Sequence, residues 1–186
     1  VARPLGARLR AWGQTLFVLV FIAAGVSATR ASLADHYVVP SGSMRPTLVE
    51  GDRILVDKMA FGLRVPLTHH WLVSAAGPRR GDVVVLSSPE DGDTLVKRVM
   101  GLPGETVVVR GGVVYADGRA VERRVSGAAN GLDYGPILLG ESEYLVLGDN
   151  RGNSHDGRAF GPVPRETIHG RVEAVVWRGG FTWLGM

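Results

Sequence analysis

Thr106-Val107-Val108-Val109-Arg110-Gly111-Gly112-Val113-Val114-Tyr115 is a pair of valine-rich runs joined by two glycines. β-Branched side chains are stiff at χ1 and fit the pleated surface of a strand. The Gly-Gly pair supplies the positive φ that a two-residue hairpin turn requires. The stretch reads as a β-hairpin, and the same grammar recurs along the chain. Arg53-Ile54-Leu55-Val56-Asp57 follows the turn Glu50-Gly51-Asp52, and Asp82-Val83-Val84-Val85-Leu86 follows Arg80-Gly81. Thr94 to Leu102 ends at Pro103-Gly104, Asp117-Gly118 marks another turn, and Glu143 to Leu147 and Gly170 to Trp177 complete the set. No long amphipathic helix is legible after residue 30, so the predicted body is mainly β, a barrel or a sandwich. The Gly- and Ala-rich residues 123–142 read as an exposed loop or a reduced insertion.

The 186 residues suffice for one domain plus an appendage. There is no cysteine, which excludes disulfides, thiolate catalysis and cysteine metal sites. A pI near 9.7 points toward nucleic acid only until the charge is located. Residues 1–30 hold Arg3, Arg8, Arg10 and Arg30 and no acid, which leaves 17 basic against 18 acidic side chains beyond them. The body carries no basic excess, and no nucleic-acid partner is expected.

Ala11 to Thr29 is uncharged, with Leu16-Phe17-Val18-Leu19-Val20-Phe21-Ile22 at its centre. As a helix it would span roughly 28 Å, about one bilayer core. Arg3, Arg8 and Arg10 before it put the N-terminus in the cytoplasm by the positive-inside rule. The expected layout is a cytoplasmic N-terminus at 1–10, a transmembrane anchor at 11–30, and an extracytoplasmic β domain at 31–186. That layout describes a single-pass protein of the inner (plasma) membrane. A cleaved signal peptide and a buried core helix are the competing readings of the same stretch.

Of the 21 basic side chains all but Lys58 and Lys97 are arginine. Arginine keeps its proton in a protein, whereas a buried lysine can lose it. Lys97 sits in the apolar run Leu95-Val96-Lys97, a context suited to a neutral amine. Such an amine can activate a serine, and Pro40-Ser41-Gly42-Ser43-Met44 lies just past the apolar segment. These two features predict a membrane-anchored Ser-Lys hydrolase.

Five blocks then occur in order. They are Pro40-Ser41-Gly42-Ser43-Met44-Arg45-Pro46-Thr47-Leu48, Gly51-Asp52-Arg53, Arg80-Gly81-Asp82-Val83-Val84, Val96-Lys97-Arg98-Val99-Met100-Gly101-Leu102-Pro103-Gly104, and Gly148-Asp149-Asn150-Arg151-Gly152-Asn153-Ser154-His155-Asp156-Gly157-Arg158. Together they resemble the bacterial type I signal peptidases, a Ser-Lys peptidase family, from about residue 30 to residue 178. The resemblance implies a signal-peptidase-like β domain, no cofactor or metal, preprotein signal peptides as substrates and the lipid bilayer as a partner. It implies Ser43 as nucleophile and Lys97 as general base. Ser41, with the Ser43 amide, would form the oxyanion hole, and Ser154 would hydrogen-bond and orient Lys97. Asp149, Arg151, Asp156 and Arg158 would be a charged scaffold for the loop. Gly152 and Gly157 depart from the family, where aspartate and serine are commoner, and the cap between Gly111 and Glu143 is expected to be small. Val39, Pro40, Met44 and Leu95 are the candidate walls of shallow pockets for small side chains. An extended substrate beside an edge strand would send alternate residues, the A-x-A pattern, into one wall.

Other chemistries find little support. There is no Ser-x-x-Lys, no G-x-S-x-G and no H-E-x-x-H. Asp149 to Phe160 fails as a calcium loop at Arg151, His155 and Phe160. His69-His70 reads as a solvated loop pair, with a metal pair as the alternative. Trp177, Phe181, Trp183, Leu184 and Met186 are either an interfacial patch or a tail folded into the core. The rival functions are a self-cleaving Ser-Lys repressor protease, a processing peptidase of one secretion or pilus system, and a silent membrane-anchored β module.

Overall fold

In the computed structural model the described residues are 34–64, 71–74, 76–121, 133–178 and 182–183. The candidate anchor at 11–30, the His69-His70 pair, Phe181, Leu184 and Met186 lie outside them. Among the described residues no helix is long and apolar enough to cross a membrane.

The chain forms strands β1 (Ala34–Val38), β2 (Arg53–Asp57), β3 (Gly62–Arg64), β4 (Trp71–Ser74), β5 (Val83–Ser87), β6 (Thr94–Gly101) and β7 (Thr106–Arg110). It continues with β8 (Val113–Ala116), β9 (Arg119–Ala120), β10 (Tyr134–Leu138), β11 (Glu143–Leu147), helix α1 (Gly157–Phe160), β12 (Val163–Pro164), β13 (Ile168–Trp177) and β14 (Thr182–Trp183). The main sheet has eight strands ordered β1-β2-β13-β5-β6-β11-β12, with β14 on β13. A second sheet runs β10-β7-β8-β9, and β3 pairs β4. All the pairings are antiparallel. The expected mainly β class is what is observed. Among the described residues β1 and β12 remain at opposite ends of the order, so the sheet does not close into a barrel.

The valine-rich runs form strands because both faces of the main sheet are covered. On β5, Val83 and Val85 face one core cluster with Met44, Leu48, Ile54 and Val172. Val84 and Leu86 face a second with Phe61, Val99, Val146 and Ile168. Successive strand side chains point to opposite faces, so a strand buried on both sides reads as an unbroken apolar run. A third cluster of Met100, Val107, Val109, Val114, Leu139, Leu145 and Leu147 seats the second sheet. In the β7–β8 hairpin Gly111 and Gly112 both have positive φ, 54° and 78°, the conformation the turn demands. Within the stretch expected to be a loop, Tyr134–Leu138 instead pairs with β7 as β10. The second sheet also starts at Thr106, ahead of the expected cap boundary.

Candidate active site

Ser43 rides on a 3-10 turn, Gly42–Met44, closed by the Arg45 amide donating to the Gly42 carbonyl at 3.1 Å. Met44 and Leu48 are fully buried beneath it and fix it to the core. From the other side Asn150 holds the turn twice. Its amide donates to the Ser43 carbonyl at 3.0 Å and its side-chain nitrogen to the Gly42 carbonyl at 3.1 Å. This crossing leaves no room at Gly148, where an added Cβ would stand 2.1 Å from Ser154 Oγ and 2.5 Å from the Ser43 carbonyl oxygen.

Lys97 reaches the same point from β6. Its Nζ lies 2.7 Å from Ser43 Oγ, and the residue is only 3% exposed. Burial, the larger effect, lowers its pKa from the ordinary 10.5 to about 8, against a nearby Asp156 that raises it. Asp156 is itself fully buried. Burial opposes its ionisation, but Arg158 and the Gly148 amide outweigh that and hold its pKa below the usual carboxylate range. Arg158 Nε and a terminal nitrogen donate to its two oxygens at 2.8 and 2.9 Å, and the Gly148 amide donates at 2.9 Å. The same carboxylate caps α1 through the Arg158 amide.

The other loop charges have separate tasks. Asp149 accepts from Arg98 Nε at 2.8 Å and from Thr47 Oγ1 at 2.5 Å, and so joins β6 to the segment after Ser43. Arg151, 1% exposed, donates to the carbonyls of Gly148 and Gly112 and ties the loop to the β7–β8 turn. Ser41 Oγ lies 3.4 Å from Ser43 Oγ, on the open side of the turn.

Two expectations differ from the geometry. Ser154 Oγ is buried and makes no hydrogen bond to Lys97. Its hydroxyl favours the charged Asp156 carboxylate instead, without closing a hydrogen bond to it. Beside the dyad is an open cavity of about 310 Å³, and of the four proposed pocket residues only Leu95 lines it. Val39 and Met44 belong to the core under the turn, and Pro40 is exposed outside the lining. The reason is local: the 3-10 turn sends the side chain after Ser43 inward, which proximity in sequence does not disclose. The sequence assigns no role to Asn150, Arg98 or the cavity residues Ser88 and Asp93. Arg98 had one signal, its place next to Lys97 on the opposite face of the strand.

The family profile described as "Signal peptidase, peptidase S26" matches residues 9–177. The chain belongs to this family. It is 36% identical over 172 residues to a probable signal peptidase I-2 of Synechocystis sp., covering 89% of this chain and 72% of that protein. It is 32% identical to a signal peptidase I of Pseudomonas aeruginosa, covering 88% and 71% respectively. Among solved structures, a signal peptidase I from Enterococcus faecalis aligns with a TM-score of 0.45 at 30% identity, covering 53% of this chain and 98% of that one.

Proposed function

We propose that this peptidase is a membrane-anchored serine endopeptidase that removes signal peptides from exported preproteins, with Ser43 as nucleophile and Lys97 as base. The observation that carries the reading is the 2.7 Å contact between a serine hydroxyl and a buried lysine amine whose pKa falls to about 8. In the neutral form the amine accepts the hydroxyl proton as Oγ attacks the scissile carbonyl. The negative charge then growing on the carbonyl oxygen is met by the Ser43 amide and the Ser41 hydroxyl. As the C–N bond breaks, the ammonium returns its proton to the leaving amine. Water, deprotonated by the same amine, then hydrolyses the acyl-serine.

Asp156 and Arg158 support this chemistry without taking a proton. Their pairing keeps a buried negative charge near Lys97 compensated, so that the amine is not held protonated. Signal peptides as substrates rest on the names of the relatives, and the bilayer on the apolar stretch at 11–30. The extracytoplasmic orientation rests on Arg3, Arg8 and Arg10 ahead of that stretch.

The test incubates the detergent-solubilised full chain with a preprotein, beside its Ser43→Ala variant, and reads the new N-terminus by mass spectrometry. Cleavage after a small residue by the wild type alone is expected. Equal cleavage by Ser43→Ala, or none by either protein, sinks the proposal.

A further inference from the structure

β6 is paired unequally on its two sides. Toward β5 it is matched from Thr94 to Arg98, whereas toward β11 the register runs only from Arg98 to Gly101. The stretch Thr94–Lys97 therefore presents one edge without a described strand partner, and the dyad lies at its inner end. A peptide strand can add to such an edge through main-chain hydrogen bonds, with alternate side chains facing the neighbouring strand's side chains. Lys97, Leu95 and Asp93 stand two residues apart, and all three line the cavity beside Ser43. Exposure rises outward along this row: Lys97 is buried, Leu95 half-buried and Asp93 exposed. Asp93 is four residues from Lys97, about 13 Å at roughly 3.3 Å per residue.

Asp93 is held in place by its own hairpin. Its carbonyl accepts from the Ser88 amide at 2.7 Å, and its amide donates to Asp91 Oδ1 at 3.0 Å. The acidic residues Glu90, Asp91 and Asp93 all border the cavity. Glu90 is engaged by His155 Nε2 at 2.7 Å, which bridges the hairpin tip to the catalytic loop. The only other basic group in the lining is Lys97, whose amine acts in its neutral form. The outer end of the substrate track is thus negative, while its inner end holds Leu95 and the Ser43–Lys97 pair.

We infer that Asp93 is a specificity-determining residue: it selects, by charge, the substrate residue about four positions from the scissile bond on the flank that lies along β6. A lysine or arginine there is favoured over a glutamate. This selection rests on the proposed peptidase activity, and it concerns a substrate position beyond the alternate small residues expected next to the scissile bond. Two exposed charges several ångströms apart interact by about 1 kcal/mol or less in water, and the interaction fades beyond a Debye length of about 10 Å at 0.1 M salt. The expected Lys-over-Glu preference in kcat/KM is therefore about threefold to tenfold at low salt, shrinking toward unity at about 1 M.

The experiment uses the full chain in detergent with fluorogenic peptides that carry alanine at alternate positions before the cleavage point. Lysine, glutamine or glutamate is placed four residues from the scissile bond on either flank. Cleavage of the glutamine peptide by the wild type tests the activity itself, and its absence would overturn that activity and the selectivity with it. Given cleavage, the readout is the lysine-to-glutamate ratio of kcat/KM, which loss of folded enzyme does not move. On one flank the ratio should exceed unity, fall toward unity in Asp93→Asn and invert in Asp93→Lys. A ratio near unity on both flanks, or one that neither substitution moves, refutes the role of Asp93 while leaving the peptidase activity standing.

Discussion

The two lysines of the described chain occupy opposite kinds of ground. Lys58, just past β2, reaches outward to Asp35 at 3.0 Å, with side chains 25% and 41% exposed. Lys97, inside β6, is buried against Ser43 and lies near a carboxylate already committed to Arg158. At the first site the amine meets both water and a carboxylate. At the second, burial makes the ammonium costly and the neutral amine accessible. The same side chain is a surface ion-pair partner in one place and, in the proposed mechanism, a base in the other, and the difference is solvent.

The contrast breaks most sharply by substitution at the buried site. Lys97→Ala and Ser43→Ala should each lower kcat/KM by about a thousandfold or more, with circular dichroism unchanged. Lys97→Arg should be as inactive, because arginine cannot act as a base. Appreciable turnover by Lys97→Arg would remove lysine from the chemistry.

Next in size is Arg158→Met, which leaves Asp156 buried and uncompensated. A loss of about 3–5 kcal/mol is expected by urea unfolding, as for other broken buried pairs. In whatever folded fraction remains, the Lys97 titration should move to higher pH. An unchanged urea midpoint would show that Asp156 finds its compensation elsewhere.

The pH dependence sharpens the comparison further. The wild-type kcat/KM should rise through about pH 8 as Lys97 loses its proton. For stability the sign is the reverse of a favourable pair. A folded-state pKa depressed from 10.5 to about 8 means that burying the charged amine costs stability below pH 8, and the cost fades between about 8 and 10.5. A tenfold change in proton affinity corresponds to about 1.4 kcal/mol, so the cost is on the order of 3 kcal/mol. Lys97→Met should thus be inactive yet more stable than the wild type at pH 7, with the gain shrinking as pH rises. Thermal melts at pH 7 and pH 10 check this, and a destabilised Lys97→Met at pH 7 would contradict it.

The smallest effect belongs to the outer site. Lys58→Ala should change stability by less than about 1 kcal/mol, since half-exposed ion pairs are weak. It should leave peptide cleavage unaltered. A large activity loss there would mean that the two lysines are not so different.

The strands of the core were legible because burial on both faces writes itself as valine runs, as at Val83–Leu86. Short strands such as β9 and β12 carry no such run, and β10 contains Gly135 and Pro136, which disguise it as a loop. For the site, Lys97 stood out by chemistry and Ser43 by its surrounding blocks. Neither revealed that Asn150 would brace the turn, since that bond joins segments more than a hundred residues apart. Of the expected pocket residues, Leu95 lines the cavity, whereas Val39 and Met44 pack into the core. Both are close to Ser43 in sequence, but neither the turn that directs Met44 inward nor the backbone bonds of Val39 to Gly51 and Asp52 are written in their identity.

The pairing of β2 with β13 and the bracing of the Ser43 turn by Asn150 have a consequence for the order of synthesis. Translation proceeds from the N-terminus at about 5–20 residues per second, so Ser43 leaves the ribosome on the order of ten seconds before its braces. Until Asn150 and β13 have emerged, no nascent chain holds a braced dyad.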